Sequence, residues 1–252
     1  MKPLIDMPSD WDRALAIVAH PDDVEYWAAA AVATWVDQGK HVSYLHVTRG
    51  EAGIDALPPA EAAPLREIEQ KASAAVVGVT DVEFLDHPDG RVEHSDGLRR
   101  DLAHAVRRHR PDLILTLNHH EHWRNVAWNT PDHRVVGRAA LDAAADAANR
   151  WLYPDDGLDT WEGVRWQAVA GSPYPTHAID ATAGLERGVR AVLAHRTYIE
   201  ELTDEDPETY VRGFLDRNMT EAGERFGGGP AVSFEVFQRD PYRRRRDQTH
   251  YR

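Results

Sequence analysis

The chain has 252 residues, a formal net charge of −13 and no cysteine. That length can bury a full hydrophobic core without covalent staples. The missing cysteine excludes disulfides, thiolate metal sites and a Cys nucleophile, so any transition-metal site must use His, Asp and Glu, and the acidic balance argues against general binding to nucleic acid or anionic membranes.

The N-terminal segment MKPLIDMPSDWDRALAIVAH has Asp and Pro where a signal peptide needs a continuous apolar core, and WAAAAVATWV is too short to span a membrane. A cytoplasmic protein is expected. The first apolar run, LAIVA at 15–19, reads as a strand, followed by a helix over roughly 24–38 that Gly39 stops. HVSYLHVT at 41–48 is a second strand. PLREIEQKASAAVVGV at 64–79 is a helix, with Pro near its start and Gly78 near its end. VEFLD at 82–86 is a third strand, SDGLRRDLAHAVRRHR at 95–110 an amphipathic helix, and DLILTL at 112–117 a fourth strand dense enough for burial on both faces.

The second half is less regular. A strong helix is expected over 131–151, short strands at WQAVAG and HAIDAT, and one helix over 184–202. A further helix over 207–226 and a last strand, AVSFEVFQR, follow. No linker divides the chain, so residues 1–252 read as one domain with a polar tail from about 240, including Arg243 to Arg246. Strand–helix alternation predicts an α/β fold, a mostly parallel sheet flanked by helices on both faces.

Ligands of open α/β sheets bind beyond the carboxyl ends of the strands. That edge collects HPDDVE, TRGEAG, DHPDG and NHHEHWRNVAWNTPDH, four loops rich in His, Asp, Glu and Arg. His20 and Asp23, three apart at a strand-to-helix turn, can face one point and bind Zn²⁺. His133 in PDH is the candidate third ligand, leaving a position for water, and Fe²⁺ suits the same donors. Asp22 is then free to take a proton from the water and return it to a leaving amine, which makes metal-assisted amide hydrolysis possible. The competing reading of HPDD is a helix start, where Asp caps and acidic first turns suit the dipole; the convergence with PDH favours the metal site.

AHPDDVE, VTRGEAG, LREIEQKASAAVVGV and PDHRVVGRAAL, in this order and spacing, resemble the LmbE/PIG-L family of zinc-dependent N-acetylglucosaminyl-type de-N-acetylases. The later HAIDAT and VLAHRTYIE are similar to the family's segments as well. The resemblance implies a Rossmann-like fold and hydrolysis of an N-acetyl group on an amino sugar, or of a related amide in a thiol cofactor or a specialised metabolite. It implies the same ligands, His20, Asp23 and His133, and the same base, Asp22. It implies that Arg49 contacts substrate and that Asp89 holds a sugar hydroxyl, against a capping arginine and a turn residue as the plainer alternatives.

One position departs from the family pattern. The family commonly reads His-x-Asp-His before the fourth helix, its first His assisting the oxyanion, and here Thr130 stands in that place. Either Thr130 donates weakly, or His119, His120 or His122 in NHHEH supplies the donor. Asp132 either orients the site by accepting the other ring N–H of a metal-binding His or caps its helix. His195 resembles a family position or is a plain core or surface histidine. Trp123 and Trp128 lie in the active-site loop as candidates for a substrate wall, while Trp161 and Trp166 read as packing. The expected partner is a small-molecule amino sugar, and the Trp content and His-rich loop are compatible with a homo-oligomer. The competing class is a non-catalytic sugar-binding relative, which the retained base and ligands oppose. A nucleotide-binding protein is disfavoured, since the turn after the first strand has no glycine and its carboxylates repel a pyrophosphate.

Overall fold

The computed structural model describes residues 2–124, 127–154 and 157–239, and the polar tail with Arg243 to Arg246 lies outside them. The alternating units close into an eight-stranded sheet. Five of its strands, β2 (Arg13–Val18), β3 (His41–His46), β4 (Asp81–Phe84), β5 (Leu113–Leu117) and β8 (Trp166–Ala170), are mutually parallel, with β4 at one edge. β10 (Ala231–Gln238) runs antiparallel between β8 and β9 (His177–Asp180), and β1 (Ile5–Asp6) pairs parallel with β9 at the edge. The order is β1-β9-β10-β8-β5-β2-β3-β4. It grows in both directions from β2 and β5, so the topological switch lies between these two strands.

The period-2 alternation of the strands sorts the core into two layers. Ala14, Ala16 and Val18 of β2 face one layer, with α1 (Asp23–Asp37), α5 (Leu185–Leu193) and α7 (Pro207–Glu224). Leu15 and Ile17 face the other, with α3 (Asp96–His109) and α4 (Pro131–Ala148). Helices on both faces are therefore observed, as the sequence pattern predicts.

Three local expectations change. α2 (Pro59–Val76) starts five residues earlier than predicted, because Pro59 at the first helical position sets the backbone and Pro64 is carried inside the helix. The helix expected over 184–202 is two: α5 ends at Leu193 and α6 (Arg196–Leu202) follows. No Gly or Pro marks that break. Side chains of α2 make it tolerable: Ser73 Oγ donates to the Ala191 carbonyl at 2.7 Å, and Glu69 Oε1 accepts from Thr197 N–H at 2.9 Å. The two-residue β1, and the hairpin of β6 (His122–Trp123) and β7 (Ala127–Trp128), were invisible to periodicity because they are too short to show one.

Candidate metal centre

The turn after β2 is short and strained. Asp22 has φ 82°, a left-handed conformation that costs a non-glycine residue of order 1–3 kcal/mol. The turn is held by three contacts. Asp22 N–H donates to Gln70 Oε1 at 2.9 Å, Asp23 Oδ2 accepts from His20 N–H at 2.8 Å, and Arg66 Nη2 donates to Asp22 Oδ2 at 2.7 Å. Arg66 also donates to the Gly50 and Pro21 carbonyls. Its guanidinium fills the space above TRGEAG so closely that a Cβ on Gly50 would fall 2.1 Å from Nη1.

Across the β2–β5 crevice, the first turn of α4 brings in His133. His133 Nε2 lies 3.1 Å from His20 Nδ1 and 3.0 Å from Asp23 Oδ1, and His20 Nδ1 lies 3.7 Å from Asp23 Oδ2. Donors about 2 Å from a common tetrahedral centre lie about 3.3 Å apart. The spacing fits that requirement, and the three residues form a group whose ligand atoms can share one metal.

The surrounding hydrogen bonds fix which ring nitrogens face inward. Asn129 Nδ2 donates to the Asn118 and His120 carbonyls, so its Oδ1 faces His133 Nδ1 at 3.0 Å and accepts that N–H. His20 Nε2 faces Asp89 Oδ1 at 3.0 Å and Asp132 Oδ2 at 3.4 Å, and carries the other proton. The two nitrogens that these outer partners leave over face each other beside the Asp23 carboxylate. Two inward ring nitrogens and an anion aimed at one point suit a divalent cation, which would take the place of a ring proton, with the outer partners orienting both rings. Burial alone would lower the His20 pKa, but hydrogen bonds to Asp132, Asp23 and Asp89 outweigh it and hold the ring well above its usual value. Burial pushes Asp23 the other way, and His133 beside it keeps its carboxyl well below the ordinary range. Asp22 is pushed up to about 7, chiefly by burial; Arg66 opposes that rise and the Asp23 charge adds to it.

The remaining sequence candidates fall in different places. Asp89 lies against His20 and also accepts the Ala52 N–H at 2.8 Å. His20, Asp89 and Asp132 form a second group with metal-ligand spacing, which shares its histidine with the first. Asp132 takes the outer ring nitrogen of a candidate ligand, His20, and leaves the capping of α4 to Thr130. The loop after β4 holds it as well: it accepts from Gly90 N–H at 2.7 Å and Val92 N–H at 3.1 Å. Thr130 caps α4, its hydroxyl accepting from His133 N–H at 3.4 Å.

Arg49 is tied by ion pairs to Glu67 and Asp86 and by a hydrogen bond to the Leu85 carbonyl. His120 is paired with Glu235 at 2.7 Å, and His119 lies against it at 4.3 Å between ring centroids; burial, then the His120 charge, pushes the His119 pKa down to about 4. Trp123 stands edge-on to His133 at 5.8 Å and stacks on Trp27 at 4.9 Å. Trp128 is 70% exposed. His195 is fully buried, 3.9 Å from Glu25.

Sequence reasoning missed Arg66, Gln70 and Asn129, which position Asp22 and His133. The two glycines of RGEAG were the available signal for Arg66, since a Cβ on either would meet its guanidinium. A larger polar depression of about 840 Å³ lies at the opposite, amino end of the strands, around Trp151 and Glu162. Arg107 in its wall is committed to main-chain carbonyls, among them those of Ala147, Tyr153 and Leu152, and so clamps the end of α4.

Comparison with known proteins now has a geometry to rest on. The family model "PIG-L: GlcNAc-PI de-N-acetylase" matches residues 15–144, which hold all three facing ligands and Asp22. Diacetylchitobiose deacetylase of Thermococcus kodakarensis is 27% identical over 226 residues, covering 88% of this chain and 83% of that protein. The 1D-myo-inositol 2-acetamido-2-deoxy-α-D-glucopyranoside deacetylase of Geodermatophilus obscurus is 30% identical over 237 residues, covering 81% of this chain and 76% of that protein. Among solved structures, N,N′-diacetylchitobiose deacetylase of Pyrococcus horikoshii, complexed with its inhibitor MPG, superposes with a TM-score of 0.81 at 24% identity, covering 91% of this chain and 85% of that one. With its shared strand–helix order, its ligand-bearing turns and a family match over more than half its length, the chain belongs to the PIG-L family.

Proposed function

We propose that this protein is a metal-dependent hydrolase that removes an N-acetyl or related N-acyl group from an amino sugar or a glycosylated small molecule, with Zn²⁺ as the working ion. The observation that carries the reading is the pairing of three facing ligand atoms with a separate, buried carboxylate at Asp22. The relatives named above as amino-sugar deacetylases support the substrate class.

A divalent cation held by His20, Asp23 and His133 would polarise the amide carbonyl and acidify water. Asp22 acts as the general base. Its pKa of about 7 lets it accept a proton from the attacking water and deliver it to the departing amine nitrogen near neutral pH. Arg66 and Gln70 keep the Asp22 carboxylate and backbone in place for both transfers. Asp89, Asp132 and Asn129 hold the two imidazoles in the ligating tautomer. Thr130, His119 and His120 remain the candidates for the oxyanion donor. No helix among the described residues is long and apolar enough to cross a membrane.

The test is metal content by mass spectrometry together with acetate release from a panel of N-acetylated amino sugars. About one zinc per chain with equimolar acetate and free amine is the expected result. A metal-loaded protein that cleaves no amide, or a carefully purified protein that never takes up metal, overturns the reading.

A further inference from the structure

A cavity of about 200 Å³ opens beside the metal centre, with Asp22, Asp23 and His133 in its wall. The rest of the wall is apolar or aromatic. Tyr26 and Trp27 come from α1, Tyr198 and Leu202 from α6, Tyr210 and Phe214 from α7. These rings brace one another: Phe214 meets Tyr26 edge-on at 5.1 Å and Trp27 at 5.3 Å. Trp27 in turn stacks on Trp123. Braced aromatic rings offer contact area at little entropic cost.

The size of the cavity exceeds what an acetyl group needs. A volume of 200 Å³ holds on the order of six or seven water-sized groups, and an acetyl methyl fills one of them. The charges argue the same way. Among the described residues, no Lys or Arg lines the cavity. Two neighbouring cations are committed elsewhere: Arg66 lies under the Tyr198 ring at 4.2 Å and is bonded to Asp22, and Arg124 is paired with Glu221. Away from the metal position, a phosphate or carboxylate would find no Lys or Arg among the described lining residues and would meet the Asp22 carboxylate.

We propose that this cavity binds an uncharged, apolar part of the substrate attached next to the scissile amide, either an N-acyl chain longer than acetyl or an alkyl or aryl aglycone. The inference rests on the hydrolase reading above and deepens it, since it makes the preferred substrate amphipathic. The sugar then occupies the polar side of the centre, and the apolar group lies against α1, α6 and α7.

The metal-loaded full chain is assayed with two series: glucosamine carrying N-acyl chains from acetyl to hexanoyl, and N-acetylglucosaminides with aglycones from methyl to hexyl. Burying one methylene is expected to raise kcat/KM roughly three- to fourfold, in the acyl series if the acyl chain is the occupant and in the aglycone series if the aglycone is. Leu202 is 46% exposed, so Leu202→Asp is expected to fold and to flatten that slope; Tyr210→Ser is the second variant for the same readout. Binding is followed separately by tryptophan fluorescence, because Trp27 lines the cavity, with hexyl and methyl glucoside as probes. Flat profiles in both series, with hexyl glucoside bound no more tightly than methyl glucoside, overturn the proposal. So does a slope that neither variant alters. Tight, Leu202-dependent binding of hexyl glucoside without cleavage of any amide upholds the cavity assignment and rejects the hydrolase reading instead.

Discussion

Asp22 and Asp23 are adjacent carboxylates with opposite fates, and the difference lies in their partners. Asp23 faces His133 and stays ionised, whereas Asp22 is buried and its ionisation is disfavoured despite Arg66. Replacing Asp22 by Asn should therefore leave metal stoichiometry intact while turnover falls on the order of 10²–10⁴-fold; loss of metal from this variant would mean that Asp22 is a ligand and not the base. A second residue-level expectation concerns stability and lies away from the site. Glu83 is lowered to about 2, first by its hydrogen bond with His109 at 2.9 Å and then by Arg108. A carboxyl depressed in the folded state stabilises fully above its unfolded pKa and loses that contribution as pH falls toward the folded one. The stability gap between the parent and Glu83→Gln, measured by urea melts, should be present at pH 6 and close as pH falls from about 4.5 toward 2. A gap that stays constant across that range would show that the pair does not act through ionisation. Glu83 is partly exposed, so the gap itself should be modest.

At the scale of elements, the site depends on close packing behind it. α1 starts at the candidate ligand Asp23 and is an alanine-rich helix buried along most of its length. α5 approaches it so closely that a Cβ on Gly184 would lie 2.0 Å from the Ala30 carbonyl oxygen. The atom in the way is backbone, so the helices must separate to admit even a methyl. Gly184→Ala should cost roughly 1–3 kcal/mol in a urea melt, and an unchanged midpoint would show that the α1–α5 contact is slack. The break between α5 and α6 belongs to this scale as well. It turns α6 so that Tyr198 reaches Arg66 and Leu202 reaches the cavity. Periodicity read a continuous helix there because the groups that satisfy the backbone around the break, Ser73 and Glu69, lie on another helix more than a hundred residues away.

For the whole molecule, the sheet order does the assembling. β2 and β5 are neighbours, so the turn after one and the helix after the other meet at a single crevice. Asp22, Asp23, Asp89 and Asp132 crowd that crevice, and a bound cation would offset their mutual repulsion. Metal at a hundredfold above its dissociation constant adds about 2.7 kcal/mol to folding, or roughly 5–10 °C in a chain of this size. Chelation should thus abolish turnover and lower the melting temperature by about that much, while the far-UV circular dichroism stays the same because the two core layers do not depend on the site. An unchanged melting temperature after verified metal removal would place the ion outside this crevice.

What the sequence alone determined is what short-range physics determines. Apolar runs and their period located the central strands and most helices, because burial on one or both faces is written into neighbouring residues. The turn HPDD could be read as two ligands and a base because their relation is set by three consecutive peptide units. The tertiary structure decided what depends on distant partners. It brought His133 to His20 across 113 positions in the chain, gave Asp132 to His20 and the loop after β4 and left His133 to Asn129, and slid Arg66 over two glycines onto Asp22. It also gathered rings from three helices into one apolar wall. No local pattern encodes these meetings, since each is fixed by strand order and by helix packing across the sheet.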